Sequence, residues 1–207
     1  MRLAKQVGED MNSCHSRKIG VLVVRAYDDG SGRILGTGYN SPPRKTPHCD
    51  SEEYLRDVFW PQLTQMEKTT AVAATTSERT TKGLPVWYEF SDELQCEMVC
   101  SKFAGSKTCP RKVVGAASGT RLELCSCVHA ETNAIVNSSD DLHGCVMFAY
   151  CGVPCVECTK LIINAGIKKV YVVKWPNDYS HGSRWLFRKA GVEIIEHETE
   201  YYLGLTE

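Results

Sequence analysis

Residues 19–25 form a nearly unbroken apolar run rich in valine, the pattern of a buried strand. Asp28-Asp29-Gly30-Ser31-Gly32 makes a turn, and residues 33–39 read as the antiparallel partner. Upstream, Leu3, Val7 and Met11 recur at helical spacing in an amphipathic opening segment. From Ser41 the periodicity dissolves. Within that long stretch the Thr-rich residues 69–81 read as a loop, and residues 91–103 as a helix with Ser91 as N-cap and acidic residues in its first turn. After Cys127 a regular alternation returns: helix 128–137, strand 145–151, helix 154–165, strand 169–174, helix 182–189, strand 192–196. Strands alternating with helices predict an α/β fold, a partly parallel sheet with helices on its faces. No internal repeat is present.

The chain has 207 residues, 43% of them hydrophobic, which suits one domain over residues 1–207 with a long Cys-containing insertion at about 50–124. A formal net charge of −1 provides no global positive field to hold a long nucleic acid. There is no apolar run of membrane-spanning length, and the opening segment lacks the apolar stretch of a signal peptide. The expected setting is therefore cytoplasmic, where thiols stay reduced. Eleven cysteines in such a chain point to metal or catalytic use. The competing reading for any one of them is a small buried hydrophobe.

Two clusters carry the chemistry. Cys127-Val128-His129-Ala130-Glu131 opens one helix, and Val153-Pro154-Cys155-Val156-Glu157-Cys158 opens the next, one strand later. Cys155 and Cys158, three apart, fall on one helix face in a first turn whose free N–H groups favour thiolates, with Pro154 suited to the first helical position. His129 starts a neighbouring helix, so the two N-termini can meet at one sheet edge. His129, Cys155 and Cys158 are then three zinc ligands that leave the fourth position open to water, the mark of a catalytic site. Zinc lowers the pKa of bound water from 15.7 to about 7. Glu131 is the general acid–base, moving the water proton to a ring nitrogen and then to the leaving amine. His-x-Glu with Pro-Cys-x-x-Cys is the signature of zinc nucleobase deaminases. A closed structural zinc site is the competing reading, but it has no use for Glu131.

With these motifs the sequence resembles the zinc-dependent cytidine and deoxycytidylate deaminase superfamily, over residues 11–50 and 125–198. The most specific pieces are Ser16-Arg17-Lys18-Ile19-Gly20, Gly36-Thr37-Gly38-Tyr39-Asn40, His129-Ala130-Glu131-Thr132-Asn133-Ala134-Ile135, and Pro154-Cys155 through Gly166-Ile167-Lys168-Lys169-Val170. The resemblance implies a three-layer fold, a five-stranded mixed sheet flanked by helices, and hydrolytic deamination of dCMP to dUMP. It places Ser16, Arg17, Asn40 and Ala130 around the substrate, with Ser16 and Arg17 on the 5′-phosphate, whose geometry an Arg fork matches. It also implies an aromatic lid, for which Trp175 and Tyr179 are both candidates because their spacing departs from the family's. A second, structural zinc would fall on Cys14, Cys49 (or His48) and Cys127, with Cys125 or Cys109 as the fourth ligand. Cys96 and Cys100 are a competing pair.

Partners implied by the resemblance are the free nucleotide, dCTP and dTTP as effectors, and further copies of the chain in a hexamer or other homo-oligomer. Ser41-Pro42-Pro43-Arg44-Lys45 replaces the family's Gly-rich effector loop, leaving Arg44 and Lys45 as the basic groups there. Two alternatives stay open: another cytosine nucleotide, nucleoside or modified base, and the adenosine of a tRNA. The neutral charge and the long separation of Asn40 from His129 count against the second.

Overall fold

The valine-rich run becomes β1 (Gly20–Ala26), paired antiparallel with β2 (Gly32–Tyr39) on one side and β3 (Val146–Ala149) on the other. β4 (Lys169–Val173) and β5 (Glu193–His197) extend the sheet in parallel, giving the order β2-β1-β3-β4-β5. The computed structural model describes residues 1–75, 90–117, 119–174 and 180–198. They fall into two units: Met1–Ser41 with Val128–Glu207, which holds the sheet, and Pro42–Cys127.

In the first unit, α1 (Arg2–Asp10) lies on β1 and α2 (Ala130–Val136) lies on β1 and β2. Successive strand side chains alternate faces. Gly20 approaches Gly8 and Ala4 of α1, whereas Gly36 and Gly38, paired with Val23 and Val21, approach Ala130 and Ala134 of α2. The two helices therefore cover opposite faces. α3 (Val156–Asn164) packs beside α2, and α4 (His181–Ala190) beside α3. Their inward residues Ala134, Ile162 and Phe187 join Val21, Val23, Met147, Val170 and Val172 in one core. This is the expected α/β architecture with a five-stranded mixed sheet.

The expected elements recur with trimmed ends, and two readings are corrected. Pro154 does not occupy the first helical position: Cys155 is the N-cap of α3, with extended backbone (φ −61°, ψ 164°), and Pro154 precedes it. The Thr-rich loop is also displaced, because residues 65–73 of the second unit form a helix, Gln65–Ala73. Thr64 and Glu67 cap it reciprocally. Thr69 and Thr70 turn their hydroxyls onto the carbonyls of Gln65 and Met66 (3.0 and 2.9 Å), and Ala71 and Val72 are buried. Residues 76–81 of that reading lie outside the described residues.

The second unit has a core of its own. It joins Tyr54, Leu55, Phe59 and Trp60 to Ala71 and Val72, and to Cys96, Val99, Cys100 and Phe103 of the helix Asp92–Phe103. Ser91 caps that helix through the Leu94 N–H, as expected. Asp92, in its first turn, takes the Trp60 indole N–H (3.0 Å) and the Lys68 ammonium (2.6 Å).

Candidate active site

Two helix starts meet in the first unit. His129 is the N-cap of α2 and Cys155 the N-cap of α3, so each side chain leaves the chain where it turns from extended to helical. His129 Nδ1 is 3.5 Å from Cys155 Sγ and 3.4 Å from Cys158 Sγ, and the three ligand atoms lie within 4.8 Å of one another. In a tetrahedral site with Zn–S near 2.3 Å and Zn–N near 2.0–2.1 Å, sulfur and nitrogen stand about 3.5 Å apart. The donor spacing fits zinc. So does the acid–base chemistry. Cys155 is held far below the ordinary thiol range, at about 4, by the hydrogen bond from Cys158 and then by the His129 ring. Cys158 is pushed up by the same hydrogen bond and by burial, so the pair shares one proton.

Glu131, two residues after His129, is 4% exposed. Burial pushes its carboxyl upward, against the pull of the His129 ring. A carboxyl shifted in that direction gives up its proton less readily than a solvated one. Thr132 meets Cys158 (Oγ1 to Sγ 3.7 Å), and Thr159, fully buried, donates to the Pro154 carbonyl (3.3 Å).

The end of β2 holds α2 in place. Asn40 Oδ1 accepts the Ala130 N–H (2.9 Å), and its Nδ2 donates to the Arg17 carbonyl (3.4 Å). Asn133 Nδ2 donates to the Tyr39 carbonyl (2.8 Å) and to Ser41 Oγ (3.2 Å). Asn40 and Ala130, both expected around the substrate, are thus hydrogen-bonded to each other. Ser16 is half-buried, and its N–H points at Cys14 Sγ (3.4 Å). Arg17 is exposed, and its charge reaches Cys151 beside Glu131. Trp175 and Tyr179 lie outside the described residues.

This arrangement of His129, Glu131, Cys155 and Cys158 lies within residues 1–174, the span matched by the profile of the cytidine and deoxycytidylate deaminase zinc-binding region. The chain belongs to that family. Within the family it is 23% identical over 187 residues to the deoxycytidylate deaminase of Schizosaccharomyces pombe, covering 90% of this chain and 39% of that one. It is 47% identical over 68 residues to the deoxycytidylate deaminase of Homo sapiens, covering 31% of this chain and 38% of that one. This chain thus spans about two fifths of the length of both. The deoxycytidylate deaminase of Enterobacteria phage T2 is 24% identical over 202 residues, covering 94% of this chain and 88% of that one. Among solved structures, the dCMP deaminase from the cyanophage S-TIM5 in complex with dCMP and dUMP superposes with a TM-score of 0.49 at 22% identity. It covers 95% of this chain and 92% of that one.

The second unit holds the remaining predicted ligands except Cys14, which belongs to the first. His48, Cys49 and Cys127 bring their ligand atoms within 4.8 Å of one another, and His48 Nδ1 also meets Asp50 Oδ1 (2.7 Å). Buried Tyr54 registers the thiols around it. Its hydroxyl is pushed up to about 12 by burial and then by Cys125, Cys49, Cys127 and Cys109. Cys96 and Cys100 sit apart from these as a buried pair, Sγ to Sγ 3.9 Å.

Proposed function

We propose that this chain hydrolyses dCMP to dUMP and ammonia with zinc held by His129, Cys155 and Cys158. The observation that carries the proposal is the meeting of these three donors beside a buried carboxylate, Glu131, in a member of this family. Three protein donors leave a fourth position for water or substrate, which suits catalysis. Zinc, when bound, supplies the Lewis acidity that makes water a nucleophile at neutral pH.

The chain's own residues do the rest. Glu131 accepts the water proton on its carboxylate and delivers it to N3 of the cytosine as oxygen adds at C4. It then passes the second proton to the departing amine, and ammonia leaves. Arg17 is assigned to the 5′-phosphate with Ser16 beside it, a role supported by its exposure and by its charge reaching Cys151. Asn40 orders the site by fixing the start of α2.

A second, structural metal is proposed in the other unit on His48, Cys49 and Cys127, with Cys125 or Cys109 completing the set. Assembly as a homo-oligomer is supported by a stacked, half-buried ladder of Phe148, Tyr171 and His197 on the sheet. The exposed Arg44 and Lys45 support dCTP and dTTP as effectors. None of the described helices is long and apolar enough to cross a membrane.

The test is ammonia release by zinc-loaded protein on dCMP, CMP, deoxycytidine and dCTP in parallel. Turnover of dCMP above the rest, lost in Glu131→Gln, is the expected result. Silence on all four overturns the proposal.

A further inference from the structure

Among the described residues, one side chain donates to the Glu131 carboxylate: the thiol of Cys151, with Sγ 3.8 Å from Oε1. Both residues are buried. Cys151 follows β3, and its backbone is pinned on the sheet. Its carbonyl accepts the Val173 N–H at the end of β4 (2.8 Å), and the neighbouring Tyr150 N–H donates to the Gly20 carbonyl (2.9 Å). The thiol is therefore a fixed point on the sheet, whereas Glu131 rides on α2. Burial, reinforced by the carboxylate, keeps Cys151 protonated and able to donate.

We infer that Cys151 is a positioning residue whose thiol holds the Glu131 carboxylate in the rotamer from which it transfers protons, an inference that rests on the deaminase reading above. A carboxylate that must face first a water and then a ring nitrogen loses rate steeply when its direction is loose. A strong donor at this place would fix the direction but stabilise the charged form and blunt the base. A thiol is a weak, long donor. It fills the space beside Oε1 and sets its orientation with little effect on its charge.

The experiment compares Cys151→Ala and Cys151→Ser with the parent on dCMP, reading kcat, KM, zinc content and melting temperature together. The expected result is a kcat lower by roughly tenfold in Cys151→Ala, with KM and zinc content unchanged. Cys151→Ser, which restores a donor, returns kcat to within about threefold of the parent. A role in packing alone predicts the reverse order, because a hydroxyl is no better than a methyl group in an apolar site. An active parent with kcat unchanged in Cys151→Ala, or with Cys151→Ser as slow as Cys151→Ala, overturns this inference and leaves the deaminase reading standing. A parent silent on every nucleotide overturns both.

Discussion

Glycine 38 shows how a missing side chain sets the geometry of a site. A Cβ there would overlap the Ala130 carbonyl and the Ala134 N–H, in the helix that begins at His129 and carries Glu131. Gly38→Ala must push α2 away from β2, at a cost of about 1–3 kcal/mol for overpacking. It should also displace His129 and weaken zinc retention, which chelator competition on the purified variant would measure. Asn40 acts at the same junction from the other side. Asn40→Ala leaves the buried Ala130 N–H unsatisfied, at about 1–3 kcal/mol, and a lowered urea midpoint would report it. The Gly-x-Gly-Tyr-Asn run was readable in the sequence as a motif, with Asn40 expected at the substrate. The engagement of Ala130 by Asn40, from a segment distant along the chain, exists only in the folded chain.

At the scale of elements, most of the sheet and its helices could be read from pattern, because the central strands are apolar runs and the helices turn an apolar side into the core. The Thr-rich stretch escaped because threonine suits strands and loops by intrinsic preference, whereas here a reciprocal cap and two back-bonded hydroxyls hold it helical. Thr64→Ala should cost about 1 kcal/mol, seen as a lower melting temperature. Beyond Cys155 and Cys158, the thiols could be counted but not sorted, since spacing alone does not say which of the others converge. Cys96 and Cys100 share a face of the helix Asp92–Phe103, and burial together with Cys100 pushes the Cys96 thiol up to about 12. The folded helix keeps that proton while an unfolded thiol releases it above about 9. The contribution of this thiol to stability is therefore full below pH 9 and is lost as pH rises from there toward 12. Urea midpoints measured at pH 7.5 and 10.5 should differ in that direction, and Cys96→Ala should shrink the difference.

For the whole molecule, the convergence of the proposed zinc donors with the carboxylate beside them could be anticipated because each pair sits close in sequence at a helix start. The division of the groups that could hold a metal between two separately cored units was not. That division makes a counting prediction. Native mass spectrometry should find two zinc ions per chain, with Cys155→Ser losing one and Cys49→Ser the other. If the roles are separate, Cys49→Ser keeps deaminase turnover while its Pro42–Cys127 unit becomes more sensitive to protease. Ser41 and Val128 meanwhile exchange both backbone hydrogen bonds, 3.3 and 2.7 Å, and form an isolated bridge. Everything from Pro42 to Cys127 leaves and rejoins the first unit at that single rung. To the first unit the entire second unit is an enlarged hairpin loop, and closure entropy grows only as the logarithm of loop length, about 0.6 kcal/mol for each doubling. The rung is thus a natural splice point, where such a module can be lengthened, exchanged or trimmed to a short turn at small entropic cost to the fold beneath it.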